Sequence, residues 1–534
     1  MRWVFSVTRE SSMGRSAVLV GAGILLSRLA GLVRDRVFAH YFGNSAAADA
    51  FKAAIRIPNL LQNLFGEGVL SASFIPVYAG LLARKDEEDA GRVAGALATL
   101  LACGISLLVL LGVLLTPVLV DLIAPGFEGE KRELTIRLVR ILFPGAGLLV
   151  LSAWCLGILN SHHRFFMAYT APVVWNLAMI VSLLGFGGRL GQYPLAEVLA
   201  WGAVIGSLLQ LAVQLPAVLR LVTRLRFSLQ WAVPGVRTVV RNFVPVCIGR
   251  GVLQLSAFVD VLLASLLPTG AVAALSYAQT LYTLPLSLFG MSVSAAELPA
   301  MASALGNDRE VAAHVQRRLD AGLRQIAYWV VPSAMAFLVL GDVIIAAVYQ
   351  SGRFTQHDVV YVWGILAGSA VGLLASTLGR LYASTYYALR DTRTPLYYAM
   401  VHVLLATVLG YGMAIRLPPL LGIDARWGVA GLSASAGIAA WVEFALLRHT
   451  LNRRIGPTGL PLAVSLRLWT AAVVAAAAAL AGKLALGPHH PILVAAVLLL
   501  PYGLIYMAIT YRWGVPEAHA VVERVLPMAG RRPH

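Results

Sequence analysis

The sequence predicts an all-α polytopic membrane protein of about fourteen spans, on three observations. Hydrophobic residues fill 59% of the 534 positions while charged residues fill 13%. The mean hydropathy of +0.78 lies well outside the soluble range. Apolar runs of the roughly 20 residues needed to cross a bilayer recur from end to end between polar, Pro or Gly breaks.

In order, those runs predict spans over 16–40, 48–82, 90–120, 134–159, 166–187, 195–220, 239–266, 271–304, 324–349, 358–389, 395–415, 427–448, 464–486 and 491–512. The first ends at Tyr41-Phe42-Gly43-Asn44 and the second before Arg84 and Lys85. The fourth and fifth are parted by His162-His163, and the sixth runs into the long basic connection 220–241. Leu267-Pro268-Thr269-Gly270 closes the seventh; Arg309, Arg317 and Arg318 follow the eighth. Arg390 and Arg393 follow the tenth, Arg453 and Arg454 the twelfth, and His489-His490 separates the last two.

Short cytoplasmic connections retain Lys and Arg during insertion. The basic connections follow even-numbered spans, the richest holding Arg220, Arg224, Arg226, Arg237 and Arg241. Both termini are therefore expected in the cytoplasm, with the tail Arg531-Arg532 consistent with this. Topology and lipid headgroups account for the net charge of +17 without a nucleic-acid partner. The start shows no small-residue cleavage pattern, so the first span is expected to be retained. Cys103, Cys155 and Cys247 all fall inside spans and predict neither a disulfide framework nor a metal cluster.

The connections leave no room for a soluble domain. The basic 220–241 segment divides the chain, and Leu64-Phe65-Gly66 recurs as Leu288-Phe289-Gly290, followed in turn by Pro76 and Pro299. Weak repeats of this kind mark transporters whose site lies between the repeats. The organisation expected is 1–225 for spans 1–6, 226–455 for spans 7–12, and 456–534 for spans 13–14 with a tail.

Polar residues inside the spans carry the functional argument. Arg28 and Arg34 lie in Ser27-Arg28-Leu29-Ala30-Gly31-Leu32-Val33-Arg34-Asp35, where a lipid-facing guanidinium would cost about 2.5–3.5 kcal/mol or more. At about 100° per residue, Arg28 and Asp35 share a face; Arg56, Asn63 and Glu67 form one stripe in the second span. The seventh aligns Arg250 with Gln254 and carries Asp260, the eighth aligns Gln279 with Glu297, and the tenth offers Arg380 and Ser384 before Asp391. Such stripes should converge on a polar cavity between two helix bundles. Plainer readings stand beside this: a structural Arg28–Asp35 pair, Glu297 as a packing residue, and Arg36, Asp391 and Arg393 at interfacial helix ends. Arg56, Arg250 and Arg380 lack a carboxylate within four residues of their own helix, which an anionic ligand would supply. Phosphate suits several guanidinium groups, each offering two parallel donors.

The run Ser27 to Asp35, the FG of Tyr41-Phe42-Gly43, then DAF, PNLL, Phe65-Gly66-Glu67-Gly68 and Phe74 to Pro76 resembles the start of the MurJ (MviN) lipid II flippases. The runs at 264–278, 284–290 and 387–395 resemble the same family. The resemblance implies a multidrug/oligosaccharidyl-lipid/polysaccharide exporter fold, with two six-helix lobes in a V and two further helices bordering a groove for the lipid tail. It implies translocation of undecaprenyl-diphosphate-linked peptidoglycan precursor across the bacterial inner membrane by alternating access, with no enzymatic step. Arg28, Arg34 and Asp35 match the family's first helix, and Glu67 its helix 2 motif. The chain departs where members commonly carry arginine: Gln62 follows PNLL, and Thr280, preceded by Gln279, stands in the helix 8 motif. Arg56, Arg250 and Arg380 are the candidates to complete diphosphate binding.

A diphosphate cannot cross about 30 Å of hydrocarbon unaided. The expected route binds it on Arg28, Arg34 and Arg56 while the polyprenyl chain stays in lipid beside spans 13 and 14. The Ala-rich segment 464–486, with Lys483 inside it, reads as a lipid-facing wall. Gly66, Gly68, Pro76, Pro285, Gly290 and Pro299 are expected bend points in spans 2 and 8. No phosphate-binding G-x-x-x-x-G-K-[ST] loop occurs, and no cofactor is expected. Coupling would come from sodium ion, proton or membrane potential, with Asp260, Asp391 and Thr407 as candidate cation ligands. The alternatives are a flippase for another polyprenyl-linked oligosaccharide and a multidrug antiporter of the same fold, whose cavity would favour acidic and aromatic residues.

Overall fold

The computed structural model describes residues 23, 25–222, 225, 228, 234–303, 307–487 and 489–530. Arg224, Arg226 and the tail Arg531-Arg532 lie outside them. The described residues form helices, and twelve of these are long and apolar enough to cross a membrane. Helix α1 (25–42) and α10 (Pro234–Ser265) occupy the first and seventh places in the order that the apolar runs predict.

Two compact units form, Met1–Val272 with Ser351–Arg353, and Ala273–Gln350 with Phe354–His534. In the first, α2 (Ala46–Phe65), α3 (Glu67–Ser73) and α4 (Ile75–Ala83) together make the second span, followed by α5 (Glu87–Leu114). The short α6 (Thr116–Ile123) leads to α7 (Gly129–Ser161), α8 (Phe165–Phe186), α9 (Gln192–Leu221) and α10. Phe74, Tyr78, Val93, Leu97, Trp154 and Val218 sit in a core shared by α4, α5, α7 and α9. Outside the spans, Arg132 grips Asp121 through Nε at 2.6 Å and holds that carboxyl below its ordinary range.

The second unit contains α11 (Ala271–Pro285), a π-helical turn (Leu286–Met291) and α12 (Ser292–Ala302), then α13 (Asp308–Val339) and α14 (Gly341–Tyr349). Next come α15 (Gln356–Ala388), α16 (Arg393–Tyr411), a second π turn (Gly412–Arg416), α17 (Leu417–Leu421) and α18 (Gly428–Ile455). The last are α19 (Leu462–Ala485), α20 (Pro491–Arg512) and α21 (Pro516–Gly530). Helices α15 and α18 touch backbone to backbone: a Cβ on Gly372 would stand 2.3 Å from the Gly437 Cα.

Three expectations change in detail. The ninth span begins at Asp308, capped by a reciprocal Asn307–Glu310 box, and ends at Val339 rather than running 324–349. Leu340 breaks it before α14. The alanines of α19 form a packed stripe, Ala471, Ala472, Ala475, Ala476 and Ala479, and its outward face is Leu466, Val473, Val474, Leu480 and Leu484. Lys483 is ion-paired with Asp342 of α14.

The repeated Leu-Phe-Gly motif marks a break in each unit. Gly66 interrupts the second span because its extended backbone (φ −88°, ψ −152°) leaves no room for a side chain: a Cβ there would meet the Gln62 carbonyl oxygen at 2.1 Å. Leu288-Phe289-Gly290 lies in the π turn, a geometry frequent at functional sites.

Candidate functional site

The polar centre of the first unit is built on α1. Gly23 lies against Tyr169 and Gly31 near Asn176, so small residues let α1 run close along α8. This brings Arg34 over the Trp175 ring, 5.2 Å from its centroid, with Nη1 donating to Asn176 Oδ1 at 3.0 Å. The guanidinium also donates to Asp35 Oδ1 through Nη2 at 3.0 Å and Nε at 3.3 Å. Lys52 of α2 donates to the same oxygen at 3.2 Å, its Nζ lying 4.6 Å from the Phe38 ring centroid. Asp35 is buried, and the Arg34 side chain is 20% exposed.

Two cations thus share one carboxylate. Arg34 has five N–H donors, three of which these contacts engage among the described residues. Arg28, two turns earlier on α1, is exposed.

Residues from the second and seventh spans also meet. Asn63 Nδ2 donates to Gln254 Oε1 at 3.1 Å, and Arg56 lies within electrostatic reach of Asp260. A carboxylate of the chain itself therefore bears on Arg56, besides any ligand. The Gln62 carbonyl accepts from the Gly66 N–H at 2.8 Å across the helix break. The side chains of Glu67 and Arg250 lie outside the described residues.

The second unit gathers its own group on α11 and α15. Tyr282 donates to Ser376 Oγ at 3.0 Å, and Arg380, exposed one turn beyond Ser376, lies within electrostatic reach of the phenol. Thr280 Oγ1 bonds the Ser276 carbonyl at 3.0 Å, and the Gln279 carbonyl accepts from Thr283 at 2.7 Å. Glu297 faces Arg318 at 3.7 Å.

Two of the candidate cation ligands, Asp391 and Thr407 of the second unit, lie far apart. Asp391 lies in the turn before α16, where Oδ1 accepts from the Arg393 and Thr394 N–H groups and Oδ2 from Thr394 Oγ1 and Arg454. Thr407 lies sixteen residues further on, about 24 Å of helix rise, and bonds the Val403 carbonyl. One ion cannot touch both. Among the described residues no cluster of three His, Cys, Asp or Glu side chains is disposed to hold a metal.

Sequence reasoning missed Lys52, Trp175 and Asn176. Lys52 lies four residues before Arg56, so it belongs to the same helical stripe; Trp175 and Asn176 sit in an apolar run whose phase alone does not show which helix they face.

The helical fold has counterparts among solved structures. A structure described as lipid II flippase MurJ in an inward closed conformation aligns with a TM-score of 0.76 at 22% identity, over 93% of this chain and 98% of that one. An inward-facing multidrug resistance MATE transporter of the MOP superfamily aligns at 0.64 and 16% identity, over 82% and 98%. The chain therefore shares the fold of these two solved membrane proteins. Within it, the family model for the lipid II flippase MurJ matches residues 38–506, and the chain belongs to that family. A probable lipid II flippase MurJ of Bdellovibrio bacteriovorus is 34% identical over 82% of each chain. The lipid II flippase MurJ of Burkholderia cenocepacia is 32% identical over 82% of this chain and 84% of its own.

Proposed function

We propose that the chain is a lipid II flippase of the bacterial inner membrane, moving undecaprenyl-diphosphate-linked peptidoglycan precursor from the cytoplasmic to the outer leaflet by alternating access and catalysing no covalent step. The observation that carries this reading is the Arg34–Asp35–Lys52 cluster: two cations at bilayer depth share one buried carboxylate and keep guanidinium donors for an anion. A diphosphate replaces part of its water with those donors, which removes much of the cost of isolating it in hydrocarbon. Arg28, Arg56, Arg250 and Arg380, with Gln62, Glu67, Gln279 and Thr280, extend the substrate path, and the polyprenyl chain stays in lipid beside α19 and α20. The helix break at Gly66 and the π turn at Leu286–Met291 support bending of the second and eighth spans during the cycle.

Both termini face the cytoplasm in this reading, the lobes are 1–225 and 226–455, and sodium ion, proton or membrane potential supplies the energy. Gln62 and Thr280, which replace arginines common in the family, favour one second reading: a different polyprenyl-linked oligosaccharide as cargo. Expression in cells depleted of their own lipid II flippase separates the two. Rescue of growth supports lipid II; lysis despite correct insertion rejects it.

A further inference from the structure

A histidine and a glutamate meet inside the second unit where sequence reading saw only apolar spans. His402 of α16 and Glu443 of α18 face each other at 2.9 Å, Nδ1 to Oε2, with side chains 20% and 26% exposed. The contact has ion-pair distance without hydrogen-bond alignment. His402 lies nine residues into α16 and Glu443 twelve residues from the end of α18, about 14 and 18 Å from those helix ends. Both positions are within helices long and apolar enough to cross a membrane, Arg393–Leu421 and Ala425–Ile455.

Several ionisable groups on the helices packed around the pair bond to other partners. Tyr398 bonds Thr450, Arg448 bonds the Thr458 carbonyl, Arg454 pairs with Asp391, and Asp320 of α13 accepts from the Gly459 N–H. Arg324 of α13 pairs with Glu517. Arg390, Arg393 and His449 are exposed. From α15 the Tyr387 phenol lies in the field of Glu443. The charge on the pair therefore turns on its own protons. With one proton on the imidazole beyond its neutral form, the pair is neutral overall; without it a carboxylate stands alone at depth, which is costly. Histidine is the side chain whose ordinary pKa falls near physiological pH.

We propose that His402 and Glu443 form a proton-binding site in the second unit, which takes one proton from water on one side of the membrane and returns it to the other as the transporter changes conformation. The binding step stands on the geometry of the pair; the coupling step rests on the transport function proposed above.

Two measurements on the full chain keep those apart. In lipid nanodiscs, pH-difference infrared spectroscopy between pH 8 and 5 should show an imidazole protonation, accompanied by a change in the paired carboxylate band, that His402→Gln removes and Glu443→Gln alters. A spectrum unchanged by Glu443→Gln overturns the site, whatever the cargo. In proteoliposomes loaded with lipid II at zero membrane potential, an imposed pH gradient should change the translocation rate, and each variant should lose that response at least tenfold. Variants that lose the infrared signal but keep the gradient response overturn the coupling. If lipid II does not move in any preparation, the flippase reading fails with the coupling, while the infrared titration still decides the site. The double variant His402→Gln/Glu443→Gln controls for folding: its thermal stability should match the single variants while its titration is absent.

Discussion

Replacing Asp35 with Asn tests the electrostatics of the cluster. Arg34 Nη2 and Lys52 Nζ sit on the same carboxylate oxygen, at 3.0 and 3.2 Å, so the two cations are within about 6 Å of each other. With the carboxylate neutralised, their repulsion at an effective dielectric of 20 is about 3 kcal/mol. Breaking a buried pair by removing one partner costs about 3–5 kcal/mol in general, so the two routes to the number agree. Asp35→Asn should therefore lower the thermal midpoint of the purified protein in detergent by several degrees. Adding Lys52→Met should restore about half of the loss, because only one cation then remains beside the amide. A thermodynamic cycle over the two sites measures this as a coupling of about 1–3 kcal/mol. Strict additivity, or an Asp35→Asn protein as stable as wild type, would show that the carboxylate does not hold the two cations.

Gly66→Ala should impair translocation more than insertion, because a methyl 2.1 Å from the Gln62 carbonyl oxygen closes the break in the second span; flipping rates at matched protein levels check it. Gly372→Ala should destabilise the second unit by about 1–3 kcal/mol through overpacking at the α15–α18 crossing, read as a lowered midpoint in thermal melts. At Asp391, partial burial pushes the carboxyl up, but the bonds from Thr394 and Arg454 outweigh it and hold the group below its usual value. Its stabilising contribution is thus complete above about pH 4 and is lost as pH falls through the folded value. Below pH 4 the wild-type midpoint should fall more steeply than that of Asp391→Asn.

The order of spans was legible because hydropathy and Pro/Gly breaks report on insertion into lipid, which acts on each segment separately. Where a helix extends beyond the hydrocarbon that signal stops: the first half of α13 carries Arg317, Arg318, Asp320 and Arg324, and only its Asn307–Glu310 cap announces the start. Arg34 and Asp35 were legible as costly residues at depth. Lys52, Trp175 and Asn176 were not, because their meaning depends on which helix lies against α1, a tertiary fact set by the small residues Gly23 and Gly31. His402 and Glu443 were hidden for the same reason: they are 41 positions apart, and each is a single polar residue in an otherwise apolar stretch. The Ala-rich α19 shows the converse, since composition alone does not distinguish a packed alanine stripe from a lipid-facing one.

The most direct test of the account is equilibrium binding of lipid II to the purified protein, followed for wild type and Arg34→Gln as the diphosphate is varied to a monophosphate. Loss of guanidinium donors should weaken diphosphate binding about tenfold or more, corresponding to about 1.4 kcal/mol per factor of ten, and should shrink the preference for diphosphate over monophosphate. Equal affinity for both lipids, unchanged by Arg34→Gln in a protein that melts like wild type, would contradict it.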